Sequence, residues 1–367
     1  MNGARDPNVA LLCQVIPTCI VAATMRALTY AGPRDLQWRD APDPALAADG
    51  EAIVRPLAVA TCDLDAMIVA GASPFPAPFA IGHEGVAEVV DAGDAVRTVK
   101  PGDRVLVPFQ ISCGTCEACR AGRTGNCESV PLGLTYGFGF GPELTRYGGF
   151  LSDLIRVPYA DAMLVPVPEG VASIDAASAS DNITDAYRAI APHLRARPGA
   201  PVLICGGALS GSIGLYAVAQ ARALGSEDVL YVDADERRRE IAAAYGARTL
   251  DHVPERLDER FPVTVDAAAT TEGLALALNS LDRDGVCTST AIYFDPNSIP
   301  PFPLLPMYVM GSTFVTGRIH ARHDAPAVLD LLADGTLDVA PVTTKVVSFA
   351  DAADALLEDY VKLVVTP

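Results

Sequence analysis

Four cysteines fall at Cys113-x2-Cys116-x2-Cys119-x7-Cys127 within the stretch SCGTCEACRAGRTGNC. No other segment restricts the fold so tightly. Four thiolates at loop-compatible spacing can close a tetrahedron around zinc and pin an irregular segment that has no strand or helix of its own. An iron–sulfur run is the nearest rival, but such runs place the fourth cysteine after three residues and follow it with proline. Here seven residues intervene and Glu128 follows. Disulfides remain the other alternative. The chain holds nine cysteines, an odd number, and the cluster is tighter than most disulfide frameworks, so a reducing, cytoplasmic setting with thiolate–metal chemistry is expected. A closed four-thiolate site offers substrate no open position, so these four residues are expected to be structural zinc ligands.

The text around this loop changes character along the chain. From Met25 to about Tyr159 it consists of short apolar runs broken by Gly and Pro, among them EAIVRPLAVA, GVAEVVDAG and GDRVLVPF. These predict strands joined by turns. After Pro198, strand-like runs such as PVLIC, DVLYVD and PVTVDAAA alternate with Ala-rich helical segments. That alternation predicts an α/β, doubly wound parallel sheet. The tail is expected to be helical, with APVTTKVVSF as a strand between two helices. A length of 367 residues suits two domains, and a net charge of -18 disfavours nucleic acid or an anionic membrane surface as partner. No apolar run is long enough to span a bilayer. Val9–Ala23 is faintly leader-like but broken by Gln14 and Pro17, so residues 1–24 read as an extension or an over-long start ahead of Met25.

Upstream of the cysteine loop stand TCDLD (Thr61–Asp65) and GHEGVAEVVDAG (Gly82–Gly93). Cys62 and the His83–Glu84 pair can meet only through folding. A lone cysteine is commonly a small buried hydrophobe, but the metal-binding loop and the GHE run favour a ligand role. With PGDRVLVPF, the cysteine loop, SDNITDAYRA and the glycine turn following in order, the chain from Met25 onward resembles the zinc-containing alcohol dehydrogenases of the medium-chain dehydrogenase/reductase superfamily. The resemblance implies a GroES-like β-rich catalytic domain (25–183, with the zinc loop at 112–128). A Rossmann cofactor domain (184–319) and a C-terminal segment (320–367) completing the first would follow.

It also implies a catalytic zinc held by Cys62, His83 and Asp181, with Glu84 as an alternate ligand or just behind the metal. Asp185, one turn on, is a rival, and Asp181 could instead cap the helix it opens. Together with the cysteine loop this makes about two zinc ions per chain. The implied reaction is hydride transfer between a small-molecule alcohol and its aldehyde or ketone, in a homodimer or homotetramer. An alcohol must lose its hydroxyl proton before its carbon gives up hydride, a task that suits a Lewis-acidic cation.

The run CGGALSGSIG follows a strand and opens a helix, the setting of a phosphate-binding turn. Ala208, Gly211 and Gly214 make the A-x-x-G-x-x-G variant found in quinone-oxidoreductase branches. Gly207, Ser212 and Ile213 complete the expected contact set. Asp233 ends the next strand nineteen residues past Gly214, where a carboxylate suits ribose hydroxyls and favours NAD over NADP. Arg238 stands where the family has a basic residue near the adenosine ribose, which keeps NADP open. Arg318, in GRIHARHD, is a further candidate near the phosphates.

Two departures stand out. Leu64 occupies the position of the family's polar proton relay, leaving Thr61, Thr184 or a water chain. Ala87 replaces a signature glycine. Alternative readings are therefore a zinc-independent NADPH quinone or enone reductase and a non-catalytic NAD-binding scaffold. His193, His252, His320 and His323 carry no expected role, FGFGPELTRYGGF is expected to be a loop lining a cleft, and Trp38 a packing residue.

Overall fold

The computed structural model describes residues 24–367, apart from 208, 296, 298 and 300. The questions about Val9–Ala23 and the start of the chain lie outside the described residues, as does Ala208.

The apolar runs of the first half become a seven-stranded sheet. Its order is Lys345–Ser348, Leu363–Thr366, Ala52–Ala60, Glu84–Ala92, Arg104–Val107 and Val165–Pro166, with Ile155–Val157 also pairing with Ala52–Ala60. Ala52–Ala60 is buried at nearly every position, as expected of a strand covered on both faces. Its internal Pro56 cannot donate to the ladder, and the register against Glu84–Ala92 slips between Pro56 and Ala58. Beyond the slip Ala60 pairs with Glu84, which sets Cys62 beside His83. A hairpin of Thr24–Gly32 and Asp35–Pro42 flanks this sheet, and Trp38 packs there on Phe349.

Helix α1 (Asp63–Val69) leaves the end of Ala52–Ala60, and α2 (Asn182–Ala196) leads toward the second sheet. That sheet is parallel and six-stranded. Val202–Cys205, Val229–Val232 and Arg248–Leu250 run outward on one side, and Phe261–Asp266, Leu281–Ser289 and Thr313–Val315 on the other, the spatial order 3-2-1-4-5-6. Helices α3 (Ser212–Ala223) and α4 (Glu236–Ala244) connect its first strands. Val202–Cys205 and Val229–Val232 are buried throughout, which is why they read as unbroken apolar runs. The α3 N-terminus opens at the point where strand order reverses, the crevice where open α/β sheets take ligands.

The C-terminal part differs from the sequence expectation in one element. Helix α5 (Ala321–Ala333) packs on α2, Lys345–Ser348 forms the expected strand, and a one-turn helix Ala352–Ala355 follows. The chain then adds a last strand, Leu363–Thr366, antiparallel to Ala52–Ala60. Its four residues are too few for periodicity and are largely buried, so no alternation marks them.

Gly82, ahead of His83, has φ +95, and a Cβ there would stand 2.9 Å from the Leu151 nitrogen, whereas Gly170 (φ +90) has open space. Gly170→Ala is expected to cost about 1–2 kcal/mol from the backbone alone. Gly82→Ala should cost at least about 1 kcal/mol more, because Leu151 must shift. Urea unfolding of the two variants side by side checks the difference.

Candidate metal and dinucleotide site

Cys62 is the N-cap of α1, and this local geometry fixes its sulfur. The Leu64 N–H donates to Cys62 Sγ, and the Cys62 N–H donates to Asp65 Oδ2 at 2.8 Å, closing a capping box. The other oxygen of Asp65 stands 3.4 Å from His83 Nδ1, while His83 Nε2 lies 3.3 Å from Asp181 Oδ2. Neither ring nitrogen makes a well-aligned hydrogen bond, although His83 is fully buried. Burial opposes charge on His83, but the carboxylates of Asp65 and Asp181 raise it well above its ordinary range. Burial and then Asp181 push the Cys62 thiol upward.

Ligand atoms of Cys62, His83, Glu84 and Asp181 all lie within 4.8 Å of one another. A thiolate, an imidazole and carboxylates, with imidazole nitrogens left unsatisfied, form a donor set that fits zinc. Asp181 caps nothing with its side chain: it opens α2 without a side-chain capping bond and turns its carboxylate to His83. Asp185 stays outside the set, paired with Arg188 on its own helix.

Cys113, Cys116, Cys119 and Cys127 form a second group within the same limit, and all four are free thiols. Cys116 Sγ and Cys127 Sγ stand 4.0 Å apart, close to the ~3.8 Å edge of a tetrahedron with ~2.3 Å zinc–sulfur bonds. The backbone N–H groups of Thr115 and Cys116 point at Cys113 Sγ, and those of Cys119 and Glu128 at Cys116 Sγ. Burial works against charge on Cys113, yet hydrogen bonds with Ser129 and Thr115 bring its thiol down to about 5.

Cys62, His83 and Asp181 of the first group line a cavity of about 670 Å³ whose walls are mainly apolar side chains, among them Leu64, Phe138, Ile213, Phe302 and Phe314. Asp185 and Arg318 also line it. The rings of Phe109 and Phe138 meet His83 edge-on, at 5.6 and 4.9 Å between centroids. Ile213 brings the turn that opens α3 to the cavity wall. Gly211 adopts φ +72 there, and a Cβ would strike the Arg238 side chain at 2.6 Å. A Cβ at Gly214 would meet the Tyr231 ring at 3.3 Å.

Asp233 is buried and fully engaged. Tyr231 Oη donates to its Oδ2 at 2.6 Å, Arg238 holds both its oxygens at 2.8 Å, and the Asp235 N–H donates at 2.9 Å. The guanidinium of Arg238 also donates to the carbonyls of Gly207 and Leu209. Arg238, expected at the adenosine ribose, is thus committed to Asp233 and the turn.

Two stretches of the sequence match known families. Residues 48–169 match the alcohol dehydrogenase GroES-like domain, and residues 212–334 match the zinc-binding dehydrogenase domain. The chain belongs to the zinc alcohol dehydrogenase family of the medium-chain dehydrogenases/reductases. A probable zinc-binding alcohol dehydrogenase of Mycobacterium tuberculosis is 29% identical over 90% of this chain and 84% of its own length. A glutathione-independent formaldehyde dehydrogenase of Pseudomonas aeruginosa is 31% identical over 62% of this chain and 58% of its own. Among solved structures, the alcohol dehydrogenase of Thermus sp. ATN1 is 27% identical with a TM-score of 0.84, covering 93% of this chain and 99% of that one.

Within this zinc alcohol dehydrogenase fold the two departures have structural counterparts. Ala87 is fully buried in the sheet. Leu64 faces the cavity, but the hydroxyls suggested in its place are spent elsewhere. Thr61 Oγ1 bonds to the Leu363 backbone and Thr184 Oγ1 donates to the Asp181 carbonyl at 2.6 Å. The unassigned histidines lie away from the metal group. His193 meets Thr288, His252 pairs with Asp251, His320 accepts from the Gly125 N–H, and His323 stands against Gly122.

Sequence reading missed four polar residues of the site. Asp65 carried a signal, because it stands three residues after Cys62 at capping-box spacing. Asn182 donates through Nδ2 to Cys62 Sγ and Asp181 Oδ2, both at 3.1 Å, and accepts through Oδ1 from Lys362 and Ser212. Lys362 is completely buried and reaches both oxygens of Glu84, at 3.2 and 2.9 Å. Burial would drive Lys362 down, but Glu84 holds it above its ordinary value. A lone lysine in the apolar run YVKLVV was the available signal, since buried ammonium groups need a partner. Asp63 bonds across to the α3 turn. Lys362→Met is expected to lose about 3–5 kcal/mol of stability by leaving Glu84 unpaired, and pairing it with Glu84→Gln should recover most of that. Denaturant unfolding of the two variants measures both terms.

Proposed function

We propose that this chain catalyses NAD(P)-dependent hydride transfer between an alcohol and the matching aldehyde or ketone. The reading holds one zinc on Cys62, His83 and Asp181, with Glu84 close behind, and a second, structural zinc on Cys113, Cys116, Cys119 and Cys127. One observation carries it: the donor residues of the first group converge, and Cys62, His83 and Asp181 among them line an apolar cavity that Ile213 of α3 also borders. When bound there, zinc supplies Lewis acidity toward a substrate oxygen and the nicotinamide supplies or takes up hydride.

The protein's own residues do the rest. Asp65 orients the His83 ring from its Nδ1 side. Asn182 holds Cys62 and Asp181 in place through its amide. Phe109 and Phe138 shield the imidazole from water, and the apolar walls favour a substrate whose body is hydrophobic around one polar oxygen.

NAD is the preferred cofactor in this reading. Asp233 stands at the end of the second parallel strand, where a carboxylate suits ribose hydroxyls, and Arg238 is paired with it rather than free for a 2′-phosphate. A homodimer or homotetramer in a reducing, cytoplasmic setting completes the proposal. The exposed Leu304, Leu305, Tyr308 and Val309 support self-association, and the free described cysteines support the setting.

Metal analysis of the purified protein is expected to find about two zinc ions per chain. Cys62→Ser and His83→Asn should each lower metal content by about one and abolish turnover, at least about 100-fold, in an NADH-formation assay across primary, secondary and aromatic alcohols. Cys113→Ser should remove the other zinc and cost stability. A protein without zinc that still reduces quinones or enones with NADPH would support the quinone-reductase reading. Full zinc and tight NAD binding without turnover would leave a binding scaffold.

A further inference from the structure

The turn that opens α3 already holds an anion, and that anion is part of the chain. Asp63 Oδ1 accepts from the Ser212 N–H at 3.0 Å, from Ser212 Oγ at 2.8 Å and from Ser210 Oγ at 2.7 Å. All three donors belong to the glycine turn or the first residue of a twelve-residue helix. Asp63 belongs to α1, on the other sheet's side of the crevice, next to Cys62. The contact therefore joins the two halves of the molecule across the cofactor cleft.

The chemistry of this contact sets up a competition. Backbone N–H groups and hydroxyls at a helix N-terminus bind phosphate oxygens, and a carboxylate oxygen uses the same donors in the same way. Each donor has one proton to give. The Ser212 hydroxyl is also 2.9 Å from Asn182 Oδ1, so its proton has a second acceptor waiting when Asp63 withdraws. A dinucleotide pyrophosphate seated on this turn would have to displace Asp63 and then tolerate a carboxylate beside it, since α1 is anchored by Cys62 and Asp65.

Resting on the dinucleotide reading given above, we propose that Asp63 is an internal competitor for the cofactor's pyrophosphate. It occupies the turn in the free enzyme, weakens dinucleotide binding and speeds its release. The same contact straps the two sheets together while the cleft is empty. Asp63 is thus an affinity-setting residue whose effect falls on the charged bridge of the cofactor and leaves its adenosine untouched.

Titration calorimetry on the zinc-loaded full-length protein tests this with NADH, NADPH and adenosine as separate probes. Asp63→Asn and Asp63→Ala are each expected to bind NADH about tenfold more tightly than the parent, with adenosine changed by less than about twofold. Stopped-flow displacement should show most of the gain as slower NADH dissociation. The two substitutions guard against one failing to fold, which thermal unfolding reports. NADH affinity unchanged or reduced in both variants overturns the role given to Asp63. Adenosine tightening as much as NADH also overturns it, because a general loosening of the cleft would then be the cause. If neither dinucleotide binds to any of the three proteins, the dinucleotide reading itself fails, a result distinct from binding that the substitutions leave unchanged.

Discussion

A buried ammonium sets the terms for the candidate metal group and its surroundings. Lys362 has no contact with water, and removing an ion from water costs several kcal/mol unless the protein replaces its hydration. The replacement here is Glu84 on one side and the Asn182 carbonyl oxygen on the other, with the Tyr216 ring beneath it at 5.5 Å. Holding those partners requires three distant segments to meet: the start of strand Glu84–Ala92, the start of α2, and the entry to the last strand, Leu363–Thr366. The same three segments flank Cys62, His83 and Asp181. The geometry of the donor group thus depends on satisfying one buried charge.

Asn182 transmits that constraint across the cleft. Its amide has only one orientation consistent with its neighbours. The oxygen faces two donors, the Lys362 ammonium and the Ser212 hydroxyl, and the nitrogen faces two acceptors, Cys62 Sγ and the Asp181 carboxylate. Flipping it would set donor against donor at one end and acceptor against acceptor at the other. Polar contacts therefore link the N-terminus of α3 to Cys62 through Asn182, with the one Ser212 hydroxyl proton placed between Asp63 and Asn182. The two halves of the molecule are joined there by directional contacts as well as by apolar packing.

What the sequence revealed and what it hid follow from the range over which each signal acts. The cysteine loop was legible because its spacing is local and its chemistry admits few alternatives. The parallel sheet was legible because Val202–Cys205 and Val229–Val232 are buried on both faces and alternate with helices. Cys62, His83 and Asp181 came through the ordered resemblance, since nothing local distinguishes Cys62 from a packing residue. Lys362 was hidden because its partner lies 278 positions away and no periodicity links them. Leu363–Thr366 was too short to read. The pairing of Arg238 with Asp233 was hidden because it exists only once the second strand and α4 are folded side by side. Asp63 was hidden because its partners, Ser210 and Ser212, lie 147 and 149 positions away.

The charges of the centre give the last link. Asp65, Glu84 and Asp181 are carboxylates, Cys62 is an ionisable thiol, and Lys362 is the one cation among the described residues that bonds to the group. Glu84 is matched by Lys362, which leaves Asp65 and Asp181 facing the two sides of a single imidazole. Without a further cation, protonating His83 and keeping the Cys62 thiol neutral ease the surplus, and both are displaced in that direction. A divalent cation would match the two carboxylates and favour an ionised Cys62 and a neutral His83 as its ligands. The aromatic edges and apolar walls around the group raise the stakes, because unbalanced charge is costlier where water is excluded. The donor set and the apolar lining of the cavity thus favour the same occupant.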